Sequence, residues 1–286
     1  MDTQFWLIQT FNGISYGALL FLLASGLSLI FGVMRIVNLA HGSFFLLGGY
    51  VALTVIWTTG SWLLALPVAA ATIAVVGLVM ERVFLRPLGF DPLRQVLLTV
   101  GFAYLFQQAA LDIWGGDNLD ITPPAVLKGT AVVGGFYFPT YRIFMIGVAM
   151  AIGLMLWLMM EKTRLGAMIR ATVDDSEMAR GVGIDTSRVS MFIFALGAFL
   201  AALGGVIGGA FLGVYPGLDF AILPIAFAVV IIGGMGSLTG AAVGSLIVGL
   251  ADNFGKALFP EVSYFTLYAP MVLILAWKPT GLFGRE

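Results

Sequence analysis

Long apolar stretches, separated by short charged segments, dominate this sequence. Of its 286 residues, 60% are hydrophobic and only 10% are charged, whereas a soluble domain carries about 25% charged residues. So few charges cannot cover a water-facing surface. Because a spanning helix needs roughly 20 apolar residues, the sequence predicts an all-α, polytopic helical membrane protein with about eight transmembrane segments. The segments are expected near 6–34, 42–58, 62–80, 95–115, 141–160, 189–213, 222–250 and 264–277.

Composition excludes several other classes of protein. The chain has no cysteine, which excludes a secreted disulfide scaffold. A net charge of −1 without a basic patch argues against nucleic-acid partners. His41 is the only histidine, and without cysteine to join it the sequence predicts no metal site.

One predicted segment, 222–250, contains a glycine-rich interruption. Residues 233–240 read Gly-Gly-Met-Gly-Ser-Leu-Thr-Gly, which favours a break between two short apolar stretches. We therefore predict one broken or re-entrant region within 222–256, which is tolerated only where protein or a water-filled cavity surrounds it.

The basic residues predict the orientation of the chain. By the positive-inside rule, Arg35, 81–94 and 161–188 lie inside, whereas the loops 116–140 and 214–221 lie outside. The first of these outside loops is expected to form a short hairpin or cap. The C-terminus then lies inside, which requires an odd number of crossings.

The segment 161–188 concentrates charge. It holds ten charged residues, five acidic and five basic, so it is not a polybasic lipid tether. Residues 164–180 are predicted to form a short helix or a pair of helices, ended by Gly181 and Gly183. A solvated loop and a docking element for another protein both remain open.

Asn38, His41, Gly42 and Gln107 are the candidate pathway or gating residues. Asn38 and His41 lie where the first apolar run meets the second. They form either a turn at the membrane surface, with His41 bonded to backbone, or an element that lines or gates a pore. Further uncharged polar positions are candidates for a lining: Ser25, Ser28 and Thr99.

Catalysis and ion coupling find little support. There is no Gly-x-Ser-x-Gly motif and no carboxylate near His41 and Ser43 to complete a hydrolase triad, so the chain is not expected to be an enzyme. The apolar runs contain almost no ionisable residues, with Asp112 and Asp252 near their ends. Since ion paths usually carry such residues, this scarcity argues against an ion-coupled carrier. No phosphate-binding Gly-x4-Gly-Lys-Ser/Thr motif occurs either.

Three stretches resemble the high-affinity branched-chain amino-acid permeases of ABC transporters. The segment 161–188 resembles their cytoplasmic coupling loop, 26–51 their Gly-Leu-x-Leu-x-Phe-Gly to Leu-Gly-x-Tyr region, and 232–249 their Gly-Gly-x-Gly-Ser stretch. The matching positions in the loop are Gly166, Arg170, Ala171, Asp174, Asp175, Ala179, Gly183 and Ile184, and Arg164 is a further candidate coupling residue.

The resemblance implies a role for the whole chain. Residues 1–286 would form a single permease domain in a bacterial inner membrane, with 161–188 as the coupling loop for two cytoplasmic ATPase subunits. The other implied partners are a second permease subunit (in a homo- or heterodimer), a periplasmic solute-binding protein and membrane lipid. No cofactor is expected in this chain, because the partner subunits use the ATP. Permeases for urea, short amides or aromatic acids, an ion-coupled carrier and a passive channel remain the alternatives.

Overall fold

The computed structural model describes residues 3–89 and 91–284. Most of its α-helices are connected by short turns, and α3 continues through a π-helical turn, Met80–Leu85, and a 3-10 turn, Arg86–Leu88. Two further 3-10 turns are Ala125–Leu127 and Pro260–Val262. The helices and strands are α1 Thr3–Met34, α2 His41–Thr59, α3 Trp62–Val79, α4 Pro92–Trp114, β1 Thr130–Val133, β2 Phe136–Pro139, α5 Thr140–Lys162, α6 Arg164–Asp174, α7 Ser176–Gly181, α8 Thr186–Leu212, α9 Leu218–Gly233, α10 Leu238–Leu258 and α11 Ser263–Trp277.

Most of these helices are long and apolar enough to cross a membrane. Seven meet that condition by length and composition, namely α1, α2, α3 with its continuation, α4, α5, α8 and α10. Helix α9 is shorter, at 16 residues, and α11 has 15. The prediction of an all-α polytopic membrane protein is confirmed.

The predicted break in 222–250 separates α9 from α10. Gly234 and Gly236 both have positive φ, at 99° and 83°, which glycine adopts readily. The eight predicted runs therefore correspond to nine helices within the described residues. The amide of Leu282 donates to the Ile232 carbonyl at 2.9 Å, so the chain after α11 returns to the α9–α10 turn. That turn also abuts Gly32 near the end of α1.

Helices α1, α2 and α8 form the buried centre, where small residues let their backbones touch. A Cβ added to Gly26 would lie 2.6 Å from the Gly197 carbonyl oxygen, and one added to Gly48 would lie 2.5 Å from the Ala202 Cα. Gly205 is likewise pressed against the Phe45 carbonyl. Close packing of small residues is the usual way in which membrane helices associate.

The two faces of the bundle differ in structure. The charged face holds the end of α1, the 81–94 segment and the pair α6–α7, which line one cavity. On the opposite face, β1 and β2 form an antiparallel hairpin, which confirms the predicted hairpin within 116–140. Its two turn residues, Gly134 and Gly135, have φ of 61° and 84°, as a type I′ turn requires.

Candidate functional site

The connection between α1 and α2 folds back into the bundle. His41, the first residue of α2, donates from Nε2 to the Leu23 carbonyl oxygen at 3.0 Å. Leu23 lies 34 − 23 = 11 residues before the end of α1 at Met34, which is about 16 Å along a helix. The structure therefore places His41 deep between helices, bonded to backbone, rather than in a surface turn.

Polar contacts hold the extended segment 35–40 in place. The Asn38 side-chain oxygen accepts from the Ala40 amide at 3.1 Å, and the Leu39 amide donates to Thr99 Oγ1 at 3.2 Å. Non-helical backbone at this depth must be surrounded by protein or line a cavity. Asn38 and Thr99 thus satisfy backbone groups that a helix would otherwise have paired.

Asp219 meets the first turn of α2 from the other side. It lies in the first turn of α9, is only 2% exposed, and accepts a 2.8 Å hydrogen bond from Ser43 Oγ. A Cβ at Gly42 would lie 2.5 Å from the Asp219 carbonyl oxygen, so the two helix starts are in direct contact. A carboxylate between two helix N-termini is electrostatically favoured.

The prediction that 214–221 is a loop is therefore wrong from Leu218 onward, because α9 begins there and buries Asp219. Hydropathy alone treats an acidic residue before an apolar run as loop. The signal that was available is Pro216-Gly217 followed by an acid in the first helical turn.

These residues, with Tyr50, form what we call the central polar cluster: Asn38, His41, Ser43, Tyr50 and Asp219. Several of its buried atoms have no hydrogen-bond partner among the described residues, although buried polar groups are nearly always bonded. The cluster thus offers unused hydrogen-bonding capacity in the middle of the bundle. The unpartnered atoms are Asn38 Nδ2, His41 Nδ1, the Tyr50 hydroxyl and Asp219 Oδ1.

The remaining lining candidates divide into two groups. Gln107 is half-buried on α4, and a Cβ at Gly217 would lie 3.8 Å from its Nε2, so it borders the segment that leads into α9. Ser25 and Ser28 instead donate to the carbonyls of Leu22 and Ser237, at 3.1 and 3.2 Å. Their hydroxyls are used within and between helices.

The expectation of a bundle almost free of buried ionisable residues is also wrong. Asp219 and Glu81 are each 2% exposed, and Asp252 is 4% exposed. Asp252 is paired with Lys256 at 2.7 Å. Scarcity of buried carboxylates is therefore no argument about ion coupling in this chain.

The segment 161–188, which we call the coupling segment because of its resemblance alone, contains a pair of helices, as predicted. Helices α6 and α7 are each capped by a side chain that precedes them: Thr163 accepts from the Gly166 amide at 3.1 Å, and Asp175 accepts from the Glu177 and Met178 amides, both at 2.9 Å. Such caps fix where a short helix starts. Gly183, with φ of 90°, ends the pair.

The motif residues of the coupling segment mostly shape it. Gly166 is packed against the Met160 carbonyl, which leaves no room for a Cβ, and the Arg170 guanidinium donates to the same carbonyl. Ala179 is buried, and its carbonyl accepts from the Ile184 amide at 3.0 Å.

Other residues of the coupling segment point outward. Arg164 and Asp174 are exposed, and Ala171 is half-buried. Three apolar side chains also project from the segment, Leu165 at 42%, Met178 at 64% and Val182 at 71% exposure. The motif did not identify Val182, and only its exposure marks it as a contact candidate.

Next to the coupling segment lies a cavity of about 510 Å³. It is bounded by the end of α1, the turns that come after α3, and α6–α7, and we call it the inner cavity. Among the described residues, no group of three or more His, Cys, Asp or Glu side chains is placed to hold a metal ion.

Comparison with known proteins gives consistent matches along the whole chain. Residues 9–275 match a family described as the permease component of branched-chain amino acid transport systems. The chain is 30% identical to the high-affinity branched-chain amino acid transport system permease protein BraD of Pseudomonas aeruginosa, over 98% of this chain and 96% of BraD. No solved structure matches the chain.

Two relatives come from one organism, Escherichia coli K12. The chain is 32% identical to its high-affinity branched-chain amino acid transport system permease protein LivH, over 100% of this chain and 98% of LivH. It is 28% identical to LivM, a second permease protein of the same description, over 91% of this chain and 67% of LivM.

Proposed function

We propose that this chain, which belongs to the family of branched-chain amino acid transport permease components, forms half of the pathway of an ATP-driven importer for branched-chain or related hydrophobic amino acids. The observation that carries the proposal is the coupling segment. Two capped helices stand on the charged face and expose the apolar side chains of Met178 and Val182. Isolated exposed apolar side chains on a short, charged element are suited to insertion into a partner's groove.

The partners and the location belong to the same proposal. Two ATPase subunits contact the coupling segment and use the ATP, so this chain itself needs no cofactor and performs no catalysis. A second permease subunit completes the pathway, and a periplasmic binding protein delivers substrate to the face with the β1–β2 hairpin. The assembly resides in a bacterial inner membrane, and the names of LivH and LivM support two distinct permeases within one kind of system.

Within the pathway, the central polar cluster is the proposed constriction. It lies where two helices start inside the bundle, which is a recurrent way of placing polar groups at mid-membrane depth. Its unpartnered atoms can bond transiently to the polar end of a passing amino acid. Gln107 lies on the side that leads to the opposite face.

The test is ATP-dependent uptake of radiolabelled L-leucine by vesicles that contain the full assembly. Replacing the two most exposed apolar side chains of the coupling segment, Met178→Ser with Val182→Ser, is expected to lower uptake roughly tenfold or more, because buried anchor residues dominate interface energies. The matched control, Met178→Leu with Val182→Ile, keeps the apolar surface and retains uptake. Equal uptake by both double variants, at equal amounts of protein, contradicts coupling through this surface.

The same assay separates the alternatives. Competition by urea, short amides or aromatic acids but not by leucine, isoleucine or valine assigns a different substrate. Collapse of uptake by an uncoupler at constant ATP indicates an ion-coupled carrier. Non-saturating flux without the ATPase subunits indicates a passive channel.

A further inference from the structure

Three local irregularities of the chain converge on the inner cavity. They are a non-glycine residue with positive φ, a π-helical turn and a buried carboxylate oxygen without a partner among the described residues. Departures from regular local structure persist where the surrounding fold enforces them, and they cluster at functional sites. A volume of about 510 Å³ is also within the usual range for small-ligand pockets.

Glu81 is the buried carboxylate of the cavity, whose wall also includes the exposed residues Asp174 and Asp175. Glu81 belongs to the π-helical turn Met80–Leu85, which follows α3 directly, and such turns are rare and often found at functional sites. The side chain is 2% exposed, and its Oε2 has no hydrogen-bond partner in the part of the chain that the structure describes. A buried carboxylate in this condition is costly unless a cation reaches it.

Arg35 and Arg86 supply positive charge to the same cavity. Arg35 is the one non-glycine residue in the described chain with positive φ, at 54°. No carboxylate oxygen of the described residues lies within 4.0 Å of either guanidinium. Arg35, Arg86 and Glu81 all line the cavity, so charges of both signs border one space without forming an ion pair within residues 3–89 and 91–284.

We propose that the inner cavity binds a free α-amino acid in its zwitterionic form. The ammonium group binds Glu81, and the carboxylate binds Arg35 and Arg86, which bridges the gap between the negative and positive charges of the cavity. Charge-assisted hydrogen bonds of this kind are short and strong. That the bound amino acid is also the transported one rests on the proposed function.

Occupancy of this site has a consequence for import. The cavity wall includes Thr172, Ser176 and Arg180 of the coupling segment, together with Arg35 after α1. A ligand held there links the coupling segment to the end of α1 and stabilises the arrangement in which both contact it. Amino acid accumulating on the charged face would therefore slow further import.

Binding is tested on the full chain in lipid nanodiscs by calorimetry, with three probes of one carbon skeleton. L-leucine carries both charges, 4-methylpentanoate lacks the ammonium, and 3-methylbutylamine lacks the carboxylate. Each analogue is expected to bind roughly tenfold to hundredfold more weakly than leucine, because it loses charge-assisted bonds. Equal binding of 4-methylpentanoate would show a simple anion site, and no leucine binding at all would show that the cavity is not a ligand site; either result overturns the proposal.

Variants connect the binding to the residues. Glu81→Gln is expected to weaken leucine binding by the same factor while leaving 4-methylpentanoate unchanged, and Arg86→Gln, at an exposed position, weakens both. Glu261→Gln, a carboxylate in the 3-10 turn Pro260–Val262 before α11, is the matched control and leaves binding unchanged. Equal leucine affinity in wild type, Glu81→Gln and Arg86→Gln contradicts the assignment.

Transport by vesicles keeps the two proposals separate. Leucine added to the charged face is expected to slow wild-type import and to leave Glu81→Gln less inhibited. Normal leucine import with equal inhibition in both proteins rejects the cavity site and leaves the proposed function intact. Zwitterion binding by the chain without any ATP-dependent amino-acid import rejects the proposed function and leaves the cavity site intact.

Discussion

The buried centre and the charged face of this protein are stabilised in different ways. In the centre, backbones of α1, α2 and α8 touch at Gly26, Gly48 and Gly205. Steric exclusion therefore sets the positions of these helices relative to one another. On the charged face, two side-chain caps fix where α6 and α7 begin, and both helices border a cavity. A region without room for a methyl group has one arrangement, whereas a capped pair of short helices beside a cavity can adopt another at modest cost. We therefore expect the centre to be rigid and the charged face to rearrange more easily.

The largest effect is expected where the centre has no free space. In Gly205→Ala, the new Cβ collides with the Phe45 carbonyl, and we expect the free energy of unfolding to fall by about 1–3 kcal/mol or more. The readout is the thermal unfolding midpoint of the purified chain in detergent. Gly147→Ala on α5 is the control, because nothing lies within 4 Å of its added Cβ, and it should be neutral or slightly stabilising. Similar midpoints for the two variants would contradict steric fixation of the centre.

An intermediate effect is expected in the central polar cluster. Asp219→Ala leaves the Ser43 hydroxyl without its 2.8 Å acceptor, which is expected to cost about 1–3 kcal/mol. Ser43→Ala removes the donor but leaves the carboxylate near two helix N-termini, so its loss should be smaller. Unfolding midpoints of the two single variants and of the double variant measure their coupling. Strictly additive losses would show that the hydrogen bond does not join α2 to α9.

The smallest effect is expected on the charged face. Asp175→Ala removes the cap of α7, worth about 1 kcal/mol, so amide exchange at Glu177 and Met178 should accelerate roughly fivefold. The global unfolding midpoint should not move, because α7 is short and peripheral. Arg188→Ala, which removes only an exposed ion pair with Asp185, is the control and should change neither quantity measurably. A global loss of stability in Asp175→Ala would show that the coupling segment is an integral part of the core.

The sequence predicts those features that depend on one-dimensional pattern. The predicted run 42–58 agrees with α2 at His41–Thr59, and 95–115 agrees with α4 at Pro92–Trp114, to within a few residues. The pair α6–α7 and the hairpin depend on caps and on Gly134-Gly135, whose effect is local. Apolar runs, helix caps and turn residues are local in the sequence, so they can be recognised without knowledge of the fold.

The sequence does not show how deeply a residue is buried or which distant residue it contacts. Nothing near His41 indicates that its segment turns back 11 residues along α1 to meet Leu23. Glu81 is indistinguishable in sequence from its charged neighbours Arg82 and Arg86, and only the turn of the backbone buries it. Likewise, Asp219 accepts its hydrogen bond from Ser43, which precedes it by 176 residues in the chain.

The π-helical turn Met80–Leu85 has an evolutionary consequence. A π-helical bond closes over one residue more than an α-helical bond does, so such a turn is equivalent to a single-residue insertion in a regular helix. Deleting one residue between Glu81 and Arg86 would restore α-helical register, and the downstream residues would keep about the same direction relative to the upstream helix. The two residues would then be four apart in an α-helix, about 40° around its axis, and would still share one side. A one-residue gap at this point in an alignment of relatives is therefore compatible with the inner charge pattern where both residues are retained.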